Sequence, residues 1–304
     1  MRRGRPLSQW QRTIKREVEY HGTGLFRGRE VTLRLKPQPP GSGISFQRLD
    51  LEGTPPIPAL VTSLRDNRRR ITLGGAEAEV EGVEHFMAAA AGLGIDNLLV
   101  ELTDSEMPAG DGSSRVFVEL LREGEVVEQL VPKKSFSLKQ PLAVEEEGAS
   151  LVALPSGDGL VLSFRLDFGK MSSLRQSFGL FVTEESFIKE LSVARTFCLA
   201  SQIEEFQRLG LGRGVTEENS FLVEEGGRAV TPVQRRPAHL RYADEPVRHK
   251  VLDLLGDLYL IGTELRAKVF GVKSGHSLNV RMAQRLYSLI NQEPSLREGQ
   301  EVRV

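Results

Sequence analysis

The decapeptide RHKVLDLLGD (248–257) sets His249 and Asp253 four residues apart, with Asp257 four further on. On a helix, residues four apart share a face, with Cβ atoms roughly 5–6 Å from each other. A histidine and a carboxylate so spaced can close on one metal ion at ~2 Å each, with a third ligand from elsewhere in the chain. A solvated, charged helical face has the same spacing, and the decapeptide alone leaves both readings open. Glu84-His85 sets a carboxylate beside another histidine. Beside a metal ligand, such a carboxylate can take a proton from water. An exposed helical turn would also carry these two residues. His276 lies in the ordered context KSGHSLN, whereas His21 and His239 fall in stretches read as surface loops.

The elements that must position these side chains follow from pattern. Val83–Ala91 is alanine-rich and predicts a helix, ended by Gly92 and Gly94. An apolar strand follows over 97–102. Asp111 is a suitable N-cap for an amphipathic helix that ends near Gly124. Asp244, with Pro246 behind it, starts the helix that carries His249. A strand at 267–272 and a last helix at 278–290 complete that half. Upstream, 13–35 reads as two strands about a glycine-rich turn, HGTGLFRGRE. Its glycines are spaced wrongly for a dinucleotide loop and are followed by a strand, so Gly22, Gly24 and Gly28 read as turn glycines. Short strands are expected at 44–46, 59–63 and 70–73, with a solvated basic turn over 65–70. A linker at 131–137 leads to strands at 136–145, 150–154 and 160–168. Residues 184–207 read as interrupted helix, and 209–214 as a loop. DFGK (167–170) has no other kinase motif beside it and is set aside.

The pattern repeats. His85 lies seven residues before Gly92, and His249 seven before Gly256. Each histidine helix is followed by an apolar strand and then by a small-residue turn, DGSS or SGHS, that opens another helix. This predicts an α+β fold of two similar domains, each a small sheet with two helices, with boundaries at 1–130 and 131–304.

Composition narrows the class. Forty basic against forty-one acidic residues leave a net charge of −1 over 304 residues, without the basic surplus of a nucleic-acid binder. No apolar run approaches the ~20 residues of a membrane span. Cys198 is the single cysteine, so a metal site must use His, Asp and Glu, and a reducing compartment fits. The first sixteen residues carry Arg2, Arg3, Arg5, Arg12, Lys15 and Arg16 without an acid. They read as a solvated basic tail with only a faint likeness to a transit peptide.

From about Gln11 onward the chain resembles the UDP-3-O-acyl-N-acetylglucosamine deacetylase family. The likeness rests on VEHFMAAAAGLGIDN (83–97), MPAGDGSS (107–114), ARTF (194–197), RHKVLDLLGDLY (248–259) and KSGHSLN (273–279), in that order. It implies a zinc amidase of lipid A biosynthesis, a step towards lipopolysaccharide, with ferrous iron as the other candidate ion. His85, His249 and Asp253 match the metal ligands. Glu84 matches the general base, His276 the general acid, Asp257 the carboxylate supporting it, and Thr196 the hydroxyl that helps hold the oxyanion. Phe197 and Lys250 match contacts to sugar and diphosphate, Lys273 lies beside the substrate, and Phe168 matches the aromatic that stacks on uracil. The family fold packs the helices between the two sheets and adds inserts, here near 58–73 and 194–224, the second forming the acyl-chain tunnel. Leu209, Leu211, Val215 and Phe221 are its expected lining.

The implied partner is a small acylated UDP-sugar, with no nucleic acid. The expected state is a cytoplasmic monomer with transient membrane-surface contact. Three stretches depart from the family pattern: Phe26 replaces a histidine, LGRGVTEEN (211–219) replaces a glycine-rich segment, and GKMSSLRQ (169–176) replaces His-Pro after Phe168. A zinc amidohydrolase acting on another N-acetylated sugar, and a non-catalytic binder of acylated sugar nucleotides, are the competing readings. Intact Glu84 and His276 argue against the binder.

Overall fold

The computed structural model describes residues 8–169 and 174–292. Arg2, Arg3, Arg5 and part of the 169–176 departure lie outside these residues. The first half of the chain forms β1 (Trp10–Ile14), β2 (Val18–Thr23), β3 (Glu30–Pro37), β4 (Ile44–Arg48), β5 (Ile57–Pro58), β6 (Leu64–Asp66), β7 (Thr72–Gly74), β8 (Glu79–Glu81), α1 (Glu84–Leu93), β9 (Leu98–Leu102) and α2 (Arg115–Glu123). Next come β10 (Val126–Pro132), β11 (Ser135–Ser137), β12 (Leu142–Glu146), β13 (Ala149–Pro155), β14 (Leu160–Leu166), β15 (Gln176–Phe181), α3 (Glu184–Glu190), β16 (Phe197–Leu199), α4 (Ile203–Arg208), β17 (Phe221–Val223) and β18 (Ala229–Val230). The chain closes with α5 (Glu245–Tyr259), β19 (Glu264–Val272) and α6 (His276–Gln292).

The fold is α+β, and its two main sheets share one strand order. The first runs β2-β3-β9-β4-β5 and the second β12-β13-β19-β14-β15, with β11 added alongside β19. In each sheet the strand after the histidine helix is central, antiparallel to one neighbour and parallel to the other. Alternation builds the inner faces. Val31, Leu33 and Leu35 of β3 point inward and are buried, while the residues between them are not. Two further sheets of three strands each, β6-β7-β8 and β16-β17-β18, flank the cavity described below.

Helices α1 and α5 meet at the centre. Both are buried on nearly all sides, as expected of helices enclosed by other elements. The run of alanines in α1 lets its neighbours approach closely. Phe86 projects from α1 between Phe46 of β4 and Phe117 of α2, edge-on to both, with ring centroids 5.9 and 5.6 Å away. Gly256 of α5 rests directly on the Glu84 carbonyl, where a Cβ would collide. Tyr259, at the end of α5, donates to the Ile95 carbonyl at 2.7 Å. Gly94 ends α1 in the left-handed region, φ 67°, its N–H returning to the last carbonyls.

Several expected elements differ. Residues 59–63 form no strand; Val61–Ser63 is a single 3-10 turn, and the Val61 N–H donates to the Leu260 carbonyl just beyond α5. Asp111 does not cap α2. Its carboxylate accepts from the Ser113 N–H and hydroxyl, forming a turn, and the helix begins at Arg115. Ser114, at the N-cap position, has given its hydroxyl to the His85 carbonyl at 2.7 Å. Asp244 precedes α5 as expected, but its carboxylate takes Arg248 rather than a backbone N–H. His21 is exposed on β2 rather than in a loop. In the basic turn Arg65 and Arg68 stay in solvent, while Arg69 and Arg70 are half-buried. Arg70 is drawn inward to the buried Glu81, which also pairs with Arg27.

Candidate metal centre and active site

His85 comes from the first turn of α1, and His249 and Asp253 come from successive turns of α5. The crossing of the two helices brings their ligand atoms within 4.8 Å of one another, the grouping suited to a metal ion among the described residues. Asp253 Oδ1 lies 3.3 Å from His249 Nε2 and 3.5 Å from His85 Nε2. The imidazoles stand nearly perpendicular, 85° apart, with centroids 4.9 Å apart.

The donor set fits a cation on this structure's own terms. His249 Nδ1 faces the Ala194 carbonyl at 3.1 Å, which requires the proton on Nδ1 and leaves Nε2 as an acceptor. Burial holds the His249 imidazole neutral, its pKa pushed down to about 3 against the pull of Asp253. Asp253 Oδ1 is buried and has no hydrogen-bond donor among the described residues. Two acceptors thus face each other in the interior, an arrangement that a positive ion resolves. Lys250 occupies the other oxygen, Oδ2, at 2.6 Å. Burial opposes the Asp253 charge, but its neighbours His249 and Lys250 outweigh it and hold the carboxyl well below its ordinary range.

Two proton-handling groups flank this set. Glu84 is buried, and its Oε2 accepts the Ile71 backbone N–H at 3.0 Å. Burial raises its pKa, only partly countered by His276 and His85. That direction suits a base acting near neutrality. His276, the first residue of α6, donates from Nδ1 to Asp257 Oδ2 at 2.8 Å. Burial alone would depress the imidazolium; the charge and hydrogen bond of Asp257, helped by Asp253 and Glu84, raise it instead to about 9. Asp257 is fully buried, and Asn279 Nδ2 donates to the same Oδ2 at 2.9 Å.

These groups open onto a cavity of about 880 Å³. Glu84, His85, Thr196, Phe197, His249, Lys250, Asp253 and His276 line it, together with Phe168. The ring of Phe197 stacks on buried Phe221, with centroids 5.6 Å apart, and meets Phe168 edge-on at 6.4 Å. Thr196 is set by its N–H to the Gly112 carbonyl at 2.8 Å. Lys273 is exposed and outside the lining, its backbone at φ 56°. Of the four expected apolar lining residues, Leu209 and Leu211 reach the cavity. Phe221 is buried behind Phe197, and Val215 is not in the wall.

Leu25, Phe26, Leu199 and Phe206 line the cavity without having been expected there, and so do Arg69 and Arg70. The guanidinium of Arg69 covers the Phe206 ring at 4.5 Å and pairs with Glu205; that of Arg70 covers Phe26 at 4.6 Å. A run of three arginines reads as solvated from sequence because nothing local announces the aromatic rings brought to it. The Arg195–Glu245 pair was missed for the same reason. Arg195 donates from Nε at 3.0 Å and from its own backbone N–H at 2.9 Å to Glu245, which is fully buried. This fixes the segment before β16 that presents the Ala194 carbonyl and Thr196. Asn279 did carry a signal, since it stands three residues after His276 on the same helix.

An α+β fold with a His–His–Asp set at the wall of one cavity, a buried carboxylate and a charged histidine beside it defines a metal-dependent hydrolase. The family model for UDP-3-O-acyl N-acetylglycosamine deacetylase matches residues 11–288, and the chain belongs to that family. It is accordingly a deacetylase of lipid A biosynthesis. The UDP-3-O-acyl-N-acetylglucosamine deacetylase of Pseudomonas entomophila (strain L48) is 39% identical over 278 residues, covering 91% of this chain and 89% of that protein. Deacetylases of the same description from Coxiella burnetii strains CbuK_Q154 and Dugway 5J108-111 are 37% identical over the same span and coverage. No helix among the described residues is long and apolar enough to cross a membrane.

Proposed function

We propose that the chain hydrolyses the acetamide of UDP-3-O-acyl-N-acetylglucosamine, releasing acetate, with His85, His249 and Asp253 holding zinc or, alternatively, ferrous iron. The observation that carries this reading is Asp253 Oδ1, without a hydrogen-bond donor among the described residues, facing two imidazole nitrogens. A divalent ion bound there supplies Lewis-acid polarisation of the amide and acidifies water. Glu84, oriented by the Ile71 N–H, takes the proton from the attacking water. The Thr196 hydroxyl donates to the oxyanion as it develops. His276, kept charged by Asp257, gives its proton to the departing amine nitrogen.

Substrate recognition is assigned to Phe168 and Phe197 as aromatic walls for uracil and sugar and to Lys250 for the diphosphate, with Lys273 beside the substrate at the exposed edge of the site. Lys250 is already tied to Asp253, so the same ammonium would bridge metal ligand and substrate. The acyl chain would run along Phe26, Leu199, Phe206, Leu209 and Leu211. We read the chain as two domains, 1–130 and 131–304, with β6–β8 and β16–β18 as their inserts, and the enzyme as a cytoplasmic monomer that meets the membrane only at its surface.

Acetate release from the UDP substrate with and without its 3-O-acyl chain tests the assignment. Strong preference for the acylated form is expected. Equal turnover of both would favour an amidohydrolase of another N-acetylated sugar.

A further inference from the structure

We infer that Asn279 is a positioning residue of the reaction, acting through Asp257 on His276; this rests on the proposed acid role of His276. Asn279 lies on α6 among buried apolar neighbours, Leu278, Val280, Met282 and Ala283, and is itself 1% exposed. An apolar side chain would suit that place better, because a buried amide costs stability unless its hydrogen bonds are satisfied. Here they are only half used. Its Nδ2 donates to Asp257 Oδ2 at 2.9 Å, and its Oδ1 has no partner among the described residues. Among the described residues, the one hydrogen bond of this side chain therefore goes to the carboxylate that holds His276.

The geometry defines what that bond does. Asp257 Oδ2 accepts from both Asn279 Nδ2 and His276 Nδ1, while Asp257 Oδ1 has no donor among the described residues. Without Asn279 the two carboxylate oxygens differ only in which one meets the imidazole, and the side chain is free to turn. The amide pins Oδ2 toward His276. It also fixes its own orientation, because a flipped amide would set oxygen against carboxylate. Being neutral, it leaves the negative charge of Asp257 undivided for the imidazolium, which a lysine or arginine at this position would not. The opposite ring nitrogen of His276 is thereby held toward the cavity.

The test is a double-mutant cycle on the metal-loaded enzyme. Asn279→Ala should lower kcat by about ten- to a hundredfold, the scale for removing a residue that orients a functional group. KM and bound metal should stay unchanged, which separates the effect from damage to the substrate or metal sites. In an Asp257→Ala background the same substitution should cost nothing further. Asn279→Leu, of similar volume, should behave as Asn279→Ala does, excluding a cavity effect. Independent, multiplying losses in the cycle would overturn the inference, and so would a kcat close to wild type in both Asn279 variants. If instead Asp257→Ala and His276→Ala leave kcat intact, it is the assignment of the acid that fails.

Discussion

His249 Nδ1 lies 3.1 Å from the carbonyl oxygen of Ala194. This contact decides which nitrogen of the ring faces the cavity, and it reaches across from the segment before β16 that Arg195 and Glu245 hold in place. A backbone carbonyl behind a ligating histidine fixes tautomer and orientation together.

His249→Ala should therefore abolish tight metal binding as well as activity. Elemental analysis of purified protein should find close to one divalent ion per chain in the wild type and almost none in the variant. Full occupancy in the variant would remove His249 from the ligand set.

Glu84→Gln keeps the shape of the side chain and the acceptor for the Ile71 N–H but loses the base. A fall in kcat of about 10²–10⁴-fold is expected, the range for general acid–base catalysis, with metal content unchanged. Loss of the metal would point to a ligand role instead.

The pH dependence follows from two opposite requirements. His276 must be protonated, and its pKa is raised to about 9; activity is lost as pH rises through that value. Glu84 must be ionised, and burial has raised its pKa, so activity is lost on acidification at a pH above the ordinary carboxylate value of about 4.3. A bell-shaped kcat/KM profile should result, its limbs belonging to the coupled site. Asp257→Ala removes the charge that favours the imidazolium and should move the basic limb to lower pH. An unmoved limb would place the titrating acid elsewhere.

The acyl chain supplies a fourth test. Each buried CH₂ contributes up to ~0.8 kcal/mol, so substrates with shortened chains should lose kcat/KM stepwise. Leu211→Trp should shift the preference towards shorter chains by filling the wall that Leu211 lines. Chain-length indifference in the variant and wild type alike would remove this wall from the acyl site.

The closeness of His249 and Asp253 was legible in the sequence because α5 is regular: four residues is about one turn, so the two share a face, whereas their meeting with His85 was implied only by the family resemblance. The shared sheet order was foreshadowed by the spacing of His85 and His249 from their glycines. What escaped was decided by partners far along the chain. Asp111 looked like a helix cap, but Ser113 competes for its carboxylate. Val61 looked like strand, but its N–H is claimed by Leu260. Arg69 and Arg70 looked solvated until Phe206, Phe26 and Glu81 were brought to them. The Ile71 N–H that orients Glu84 belongs to no side-chain pattern at all.

Gly256 resting on the Glu84 carbonyl has a consequence for endurance. One ligand sits immediately after that carbonyl, and the other two lie on the helix that presses against it. An ion held there would thus rivet α1 to α5 where the two helices touch backbone to backbone. Since anything that binds only the folded state adds to its stability, a chelator should do more than silence the enzyme: it should lower the melting temperature of both sheets in one transition. Gly256→Ala, by wedging the helices apart, should mimic the chelator even in excess metal.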